Sequence, residues 1–185
     1  MHRLFAKAIL VFTSAILLAQ LSAKAQNITG NDIKEQFVKD WERAKEYTLD
    51  YLKTMPADKY SFKPVDSIRS FAQQMLHLAM DNVGFVQYAS GSAAKTNFPD
   101  GDLEKRATAQ TRDSVVYYVT KSYDYAIQTI KDFDPAKFGQ LVGENRKMTR
   151  FTVFLQGFEH QTHHRGQTTI YIRLVGIRPP NERLF

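Results

Sequence analysis

The chain has 185 residues, 43% of them hydrophobic, and a formal net charge of +6 from 25 basic and 19 acidic residues. That length makes one ordinary domain, able to bury a substantial core. It has no cysteine, which excludes disulfide staples, thiolate metal ligands and a cysteine nucleophile.

Residues 1–25 have the pattern of a signal peptide. A basic start containing Arg3 and Lys7 precedes a mostly apolar run from Ala8 to Leu21, and Ala23-Lys24-Ala25 places small residues where a signal peptidase reads them. Cleavage after Ala25 leaves a domain of residues 26–185 beginning at Gln26, with a periplasmic or secreted location. The apolar run is shorter than the ~20 residues that cross a bilayer, so no stable membrane anchor is expected. Arg3, Lys7 and Lys24 leave with the leader, and 22 basic against 19 acidic residues give the remainder a charge of +3. A mild surplus spread along the chain does not make a nucleic-acid surface.

Four segments then carry helical periodicity. The first runs from about Asn31 to Thr54, with Ile33, Phe37, Trp41, Ala44, Tyr47 and Tyr51 at three- and four-residue spacing and Asn31 or Asp32 as its cap. Pro56 and Pro64 break the pattern. The second is expected from about Ser67 to Ala89, ending near Gly91, followed by a polar connection containing Asn97, Pro99, Asp100 and Gly101. The third covers about Thr111 to Asp132, and the fourth about Thr149 to Val175, stopping at Gly176. Phe151 to Leu155 is the one stretch that also reads as a short strand. Four amphipathic helices of this length predict an all-α, up-down four-helix bundle.

The chemistry is concentrated in the fourth segment, at His160-Gln-Thr-His163-His164-Arg-Gly-Gln167. Residues four apart lie one above the other on a helix, so His160 and His164 can grip one ion. On a helical wheel Val153, Gln156, His160, His164, Gln167, Tyr171 and Leu174 share a stripe whose apolar ends suggest an inward face. The bland reading is a pair of histidines lining a wet groove. The chain has five histidines, and with His2 in the leader, His77 on the second helix is the natural third ligand. It sits beside the apolar arc of Phe71, Met75, Leu78, Ala79 and Val86, on the side of Asp81, Gly84 and Tyr88. His163 points about 100° from His164 and is the odd one out.

Three neutral imidazoles leave open coordination positions, the catalytic rather than the closed structural pattern. They suit zinc, nickel and iron alike. Asp81 and Gln167 are candidates to orient the rings. Gly166 would allow a close helix approach and Arg165 would form an ion pair. The acidic neighbours are Asp81 and Glu159, neither an evident general base. The Tyr117-Tyr118 and Tyr123-x-Tyr125 clusters leave a homodimer face as an option.

With His77 on helix two and His160-x-x-His163-His164-Arg165-Gly166-Gln167 on helix four, the chain resembles the DinB/YfiT-like family of metal-dependent bundles. Phe62-Lys-Pro64, Ser70-Phe71, His77-Leu78-Ala79 and the closing Tyr171-Ile-Arg-Leu-Val-Gly176-Ile-Arg-Pro179-Pro180 also resemble it. The resemblance implies a four-helix bundle with a divalent ion on His77, His160 and His164. It also implies an unidentified small-molecule substrate, with thiol-dependent transfer among the family's chemistries. A secretion signal departs from the usual pattern, since low-molecular-weight thiols are scarce outside the cytoplasm, and brings metal-dependent hydrolysis forward. The alternative is a non-catalytic carrier or sensor.

Overall fold

The computed structural model describes residues 27–92, 98 and 102–184. The expected leader, and Asn97, Pro99, Asp100 and Gly101 of the polar connection, lie outside them. Four helices dominate: α1 (Gly30–Thr54), α2 (Phe71–Ser90), α3 (Arg112–Asp132) and α4 (Arg150–Leu174). Short 3-10 turns occupy the connections, notably Leu103–Lys105. Among the described residues no helix is long and apolar enough to cross a membrane.

Local chemistry sets the helix ends. α1 is capped by Thr29 rather than Asn31 or Asp32, and Asp32 answers from the third position to complete a capping box. α2 starts at Phe71, later than Ser67, because Ser70 and Gln73 form the same reciprocal pair there. It ends where Gly91 takes a φ of +69°, a left-handed conformation that glycine adopts without strain. Phe151 to Leu155 is wholly helical. The extended pairing lies just before it, between Leu141–Val142 and Met148–Thr149, with Leu141 opposite Thr149.

The bundle is not a simple up-down array. α1 and α4 run parallel, since Phe37 meets Phe154, Trp41 meets Phe158 and Tyr51 meets Thr169. α1 runs antiparallel to α3, with Thr48 on Tyr123 and Glu42 on Lys131. α2 opposes α4, with Gln74 at His164 and Ala89 at Arg150, and runs parallel to α3, with Asn82 on Ser122 and Ser90 near Thr129. The order is therefore up-down-down-up. Of the connection between these two parallel helices, the described residues 102–111 pass beside α2, where Glu104 meets His77.

The core is aromatic, with Trp41, Phe71, Tyr123 and Phe154 fully enclosed; each such side chain contributes roughly 1.5–3 kcal/mol by leaving water. A polar thread crosses it. The Tyr123 hydroxyl donates to Gln161 Oε1 at 2.8 Å and lies 2.8 Å from that of Thr48. Arg165 donates to the same Gln161 oxygen at 2.8 Å and sits 4.6 Å from the Tyr47 ring centroid, a cation–π contact in place of the expected ion pair. Tyr123 is fully buried, so it forms no part of a dimer face.

The stripe expected to face inward on α4 is only partly buried. Val153, His164 and Tyr171 are enclosed, while Gln167 and Leu174 are exposed. Tyr171 already reaches Arg69 beyond the start of α2, so the last turn of α4 overhangs its neighbour. The buried face centres instead on Gly157, Gln161, Thr168 and Ile172.

Gly157, not Gly166, is the residue of close approach. A Cβ on Gly157 would stand 2.8 Å from Phe85 Cβ of α2, whereas one on Gly166 would meet nothing within 4 Å. Both are helical, so alanine should gain up to about 1 kcal/mol of helix propensity at either position. Denaturant titration should show Gly166→Ala stabilised by that amount. Gly157→Ala should be destabilised by about 1–3 kcal/mol, because Phe85 Cβ is tied to the backbone and the helices must part.

Candidate metal centre

The close α2–α4 packing brings His77 against His160 and His164. Their ring centroids lie 5.2 and 4.5 Å from that of His77, and 4.3 Å from each other. One ligand nitrogen from each lies within 4.8 Å of the others. His160 Nε2 and His164 Nε2 are 3.1 Å apart. Two nitrogens on one tetrahedral ion at about 2.0–2.1 Å would stand roughly 3.3 Å apart, so this spacing fits a shared ion.

One of the three donors, His164, is held in the protonation state that a metal needs. His164 is only 7% exposed. Burial first, then the charges of His160 and His77, push its pKa down to about 3, so it is neutral at physiological pH. A neutral imidazole is what a metal requires. The three-histidine group can therefore hold a divalent ion, through His77 from α2 and His160 and His164 from α4.

Carboxylates approach the rings from two sides. Asp81 Oδ2 lies 3.3 Å from His77 Nε2 and 3.0 Å from His160 Nε2. It thus stands on the ligand side of the rings, not behind them where an orienting group would sit. Burial raises the Asp81 pKa, but the His160 hydrogen bond and the surrounding imidazoles outweigh it and hold the carboxyl below its usual range. Glu104 approaches from the other side, its Oε1 3.2 Å from His77 Nδ1. Sequence reading misses Glu104 because it stands 27 positions from His77 in an irregular segment, with no periodicity to connect them. Glu159, by contrast, is exposed.

The remaining motif residues form an outer layer. Gln74 Nε2 lies 3.0 Å from His164 Nδ1 and donates to Gln167 Oε1. Gln167 is 3.0 Å from His163 Nε2, so it reaches His164 only through Gln74. His163 is exposed and outside the cluster. His164 and Glu104 border a cleft of about 880 Å³ whose wall includes Arg69, Ile68, Ile170 and Tyr171. Its size and mixed apolar and polar lining suit a small organic molecule.

Fold and site together define an all-α bundle with a three-histidine cluster in an open-sided pocket. The DinB family model matches residues 25–183, and the chain belongs to the DinB family. Its fold is similar to that of a DinB-like protein from Bacillus cereus at 17% identity, covering 80% of this chain and 96% of that one with a TM-score of 0.67. A DinB-like protein from Bacillus subtilis is similar at 18% identity, with 81% and 96% covered and a TM-score of 0.62. A conserved protein from Enterococcus faecalis gives 15%, 77% and 96%, and 0.60. No curated protein matches the sequence at a significant level.

The His164 shift has a measurable sign. Its folded pKa of about 3 lies below the unfolded value of 6.5, so between these the unfolded chain binds a proton that the folded chain refuses. Stability is full above about pH 6.5 and falls as pH is lowered through that window. Metal-free protein should show a denaturation midpoint that declines from pH 7 to pH 4, and His164→Gln should flatten that decline.

Proposed function

We propose that this DinB-family protein is an exported metalloenzyme whose divalent ion, zinc, nickel or iron, is held by His77, His160 and His164. The observation that carries the reading is the convergence of three imidazole nitrogens beside an anionic carboxylate, Asp81. When bound, such an ion supplies Lewis acidity and lowers the proton affinity of a coordinated nucleophile.

The chain's own groups then divide the work. His164, kept neutral by burial, would offer its nitrogen to the ion with no proton to displace. Asp81, ionised and within 3.3 Å of two Nε2 atoms, accepts the proton that the nucleophile gives up. The adjoining cleft holds the substrate. A base in this position removes the main argument for a purely carrying or sensing role. It serves a water or a substrate thiol equally, and export favours water, hence hydrolysis. The signal peptide over residues 1–25, with processing to Gln26, belongs to the same proposal.

Elemental analysis of the protein from Gln26 onward should find about one divalent ion per chain, and none in His160→Ala/His164→Ala. No ion in the parent, even after reconstitution with zinc, nickel and ferrous iron, would sink the metal site. Asp81→Asn should retain its metal while kcat on a turned-over ester or amide falls by about 10²–10⁴-fold. Metal binding without turnover on ester, amide or thiol-transfer substrates would reassign the bundle to carrying or sensing. N-terminal sequencing of the exported protein should begin at Gln26.

A further inference from the structure

We infer that Glu104 is the positioning residue of this site: its carboxylate, delivered by the α2–α3 crossover, holds the proton of His77 on Nδ1 and keeps Nε2 bare toward the other two rings. The inference rests on the three-histidine reading above, but its first readout needs no metal.

A neutral imidazole has one N–H, and the nitrogen that carries it cannot ligate an ion. Two carboxylates compete for the proton of His77. Glu104 Oε1 is 3.2 Å from Nδ1 and Asp81 Oδ2 is 3.3 Å from Nε2. Distance alone does not decide between them; the neighbours do. Asp81 is also engaged by His160 Nε2, at a shorter 3.0 Å. His160 Nδ1 is buried with no hydrogen-bond partner in the structure. A proton there would be an unsatisfied buried donor, so in the metal-free protein the proton of His160 rests on Nε2, facing Asp81, and must move to Nδ1 when an ion takes Nε2. Asp81 thus has its donor, and Glu104 is left as the acceptor for His77.

Glu104 is built to stay in place. Arg69 grips its carboxylate with a two-pronged fork through Nε and NH2, and only 16% of the Glu104 side chain is exposed. Its backbone N–H donates to Asp102 Oδ1 at 3.1 Å. Its carbonyl accepts from Gln73 at 3.3 Å and Gln110 at 2.8 Å. The preceding Leu103 is 1% exposed and anchors the turn in the core. The other two rings have no such support. His164 Nδ1 faces the neutral amide of Gln74, and His160 Nδ1 has no hydrogen-bond partner. Among the described residues, Glu104 is the one carboxylate behind a candidate ligand, where an acceptor both orients the ring and raises its basicity.

The test uses metal-free protein and zinc alone. Long-range ¹H–¹⁵N NMR of metal-free protein should show His77 chiefly as the Nδ1–H tautomer. Glu104→Met, which keeps the length and removes the acceptor, should shift it to Nε2–H, facing Asp81. Glu104→Gln, whose amide oxygen still accepts, should keep the parent tautomer, and so should Arg69→Gln. Zinc affinity by chelator competition should fall about 10–100-fold in Glu104→Met and less than tenfold in Glu104→Gln. If Glu104→Met retains the Nδ1–H tautomer, the assignment is wrong, whether or not zinc affinity falls; a fall alone would mean that Glu104 merely braces the crossover. Should Glu104→Met fail to fold, Glu104→Ser takes its place with the same expected shift. A parent that binds no zinc would refute the metal site while leaving the tautomer shift to decide the role of Glu104.

Discussion

The site depends on the antiparallel contact between α2 and α4, and that contact depends on Gly157 having no side chain. Phe85 Cβ lies 2.8 Å from where a Cβ on Gly157 would stand, and His160 lies one turn further along α4. At that separation His77 reaches across to His160 and His164. Protein interiors are close-packed, so a helix pair pushed apart at one turn is felt at the next. Packing between the two helices is therefore the first requirement of the histidine cluster.

The second constraint is electrostatic. Three imidazoles drawn together out of water cannot all be protonated, and burial of His164 settles its neutrality. The carboxylates divide by the side they occupy. Asp81 faces Nε2 of His77 and of His160, while Glu104 faces Nδ1 of His77.

The crossover explains why both carboxylates can be present. Between the parallel helices α2 and α3, its described part places Leu103 in the core and Glu104 beside α2. The polar thread through Thr48, Tyr123, Gln161 and Arg165 lies on the adjacent face of α4, about 100° around from the histidine pair, and its hydrogen bonds restrain the rotation of that helix. Rotation of α4 in turn decides which residues of the His160–Gln167 motif face α2.

Periodicity and punctuation in the sequence determined the four helices, most of their ends, the buried line through Phe37, Trp41, Ala44, Tyr47 and Tyr51, and the shared face of His160 and His164. All of these are set by spacing within one helix or by residues three or four apart, where the backbone fixes the geometry. Tertiary structure alone decided the rest. It arranged the helices up-down-down-up, exposed Gln167 and Leu174, gave the close approach to Gly157 rather than Gly166, turned Asp81 toward the ligand nitrogens, and brought in Glu104 from 27 positions away. These outcomes depend on side chains meeting between elements that share no sequence period, so only the packed chain fixes them.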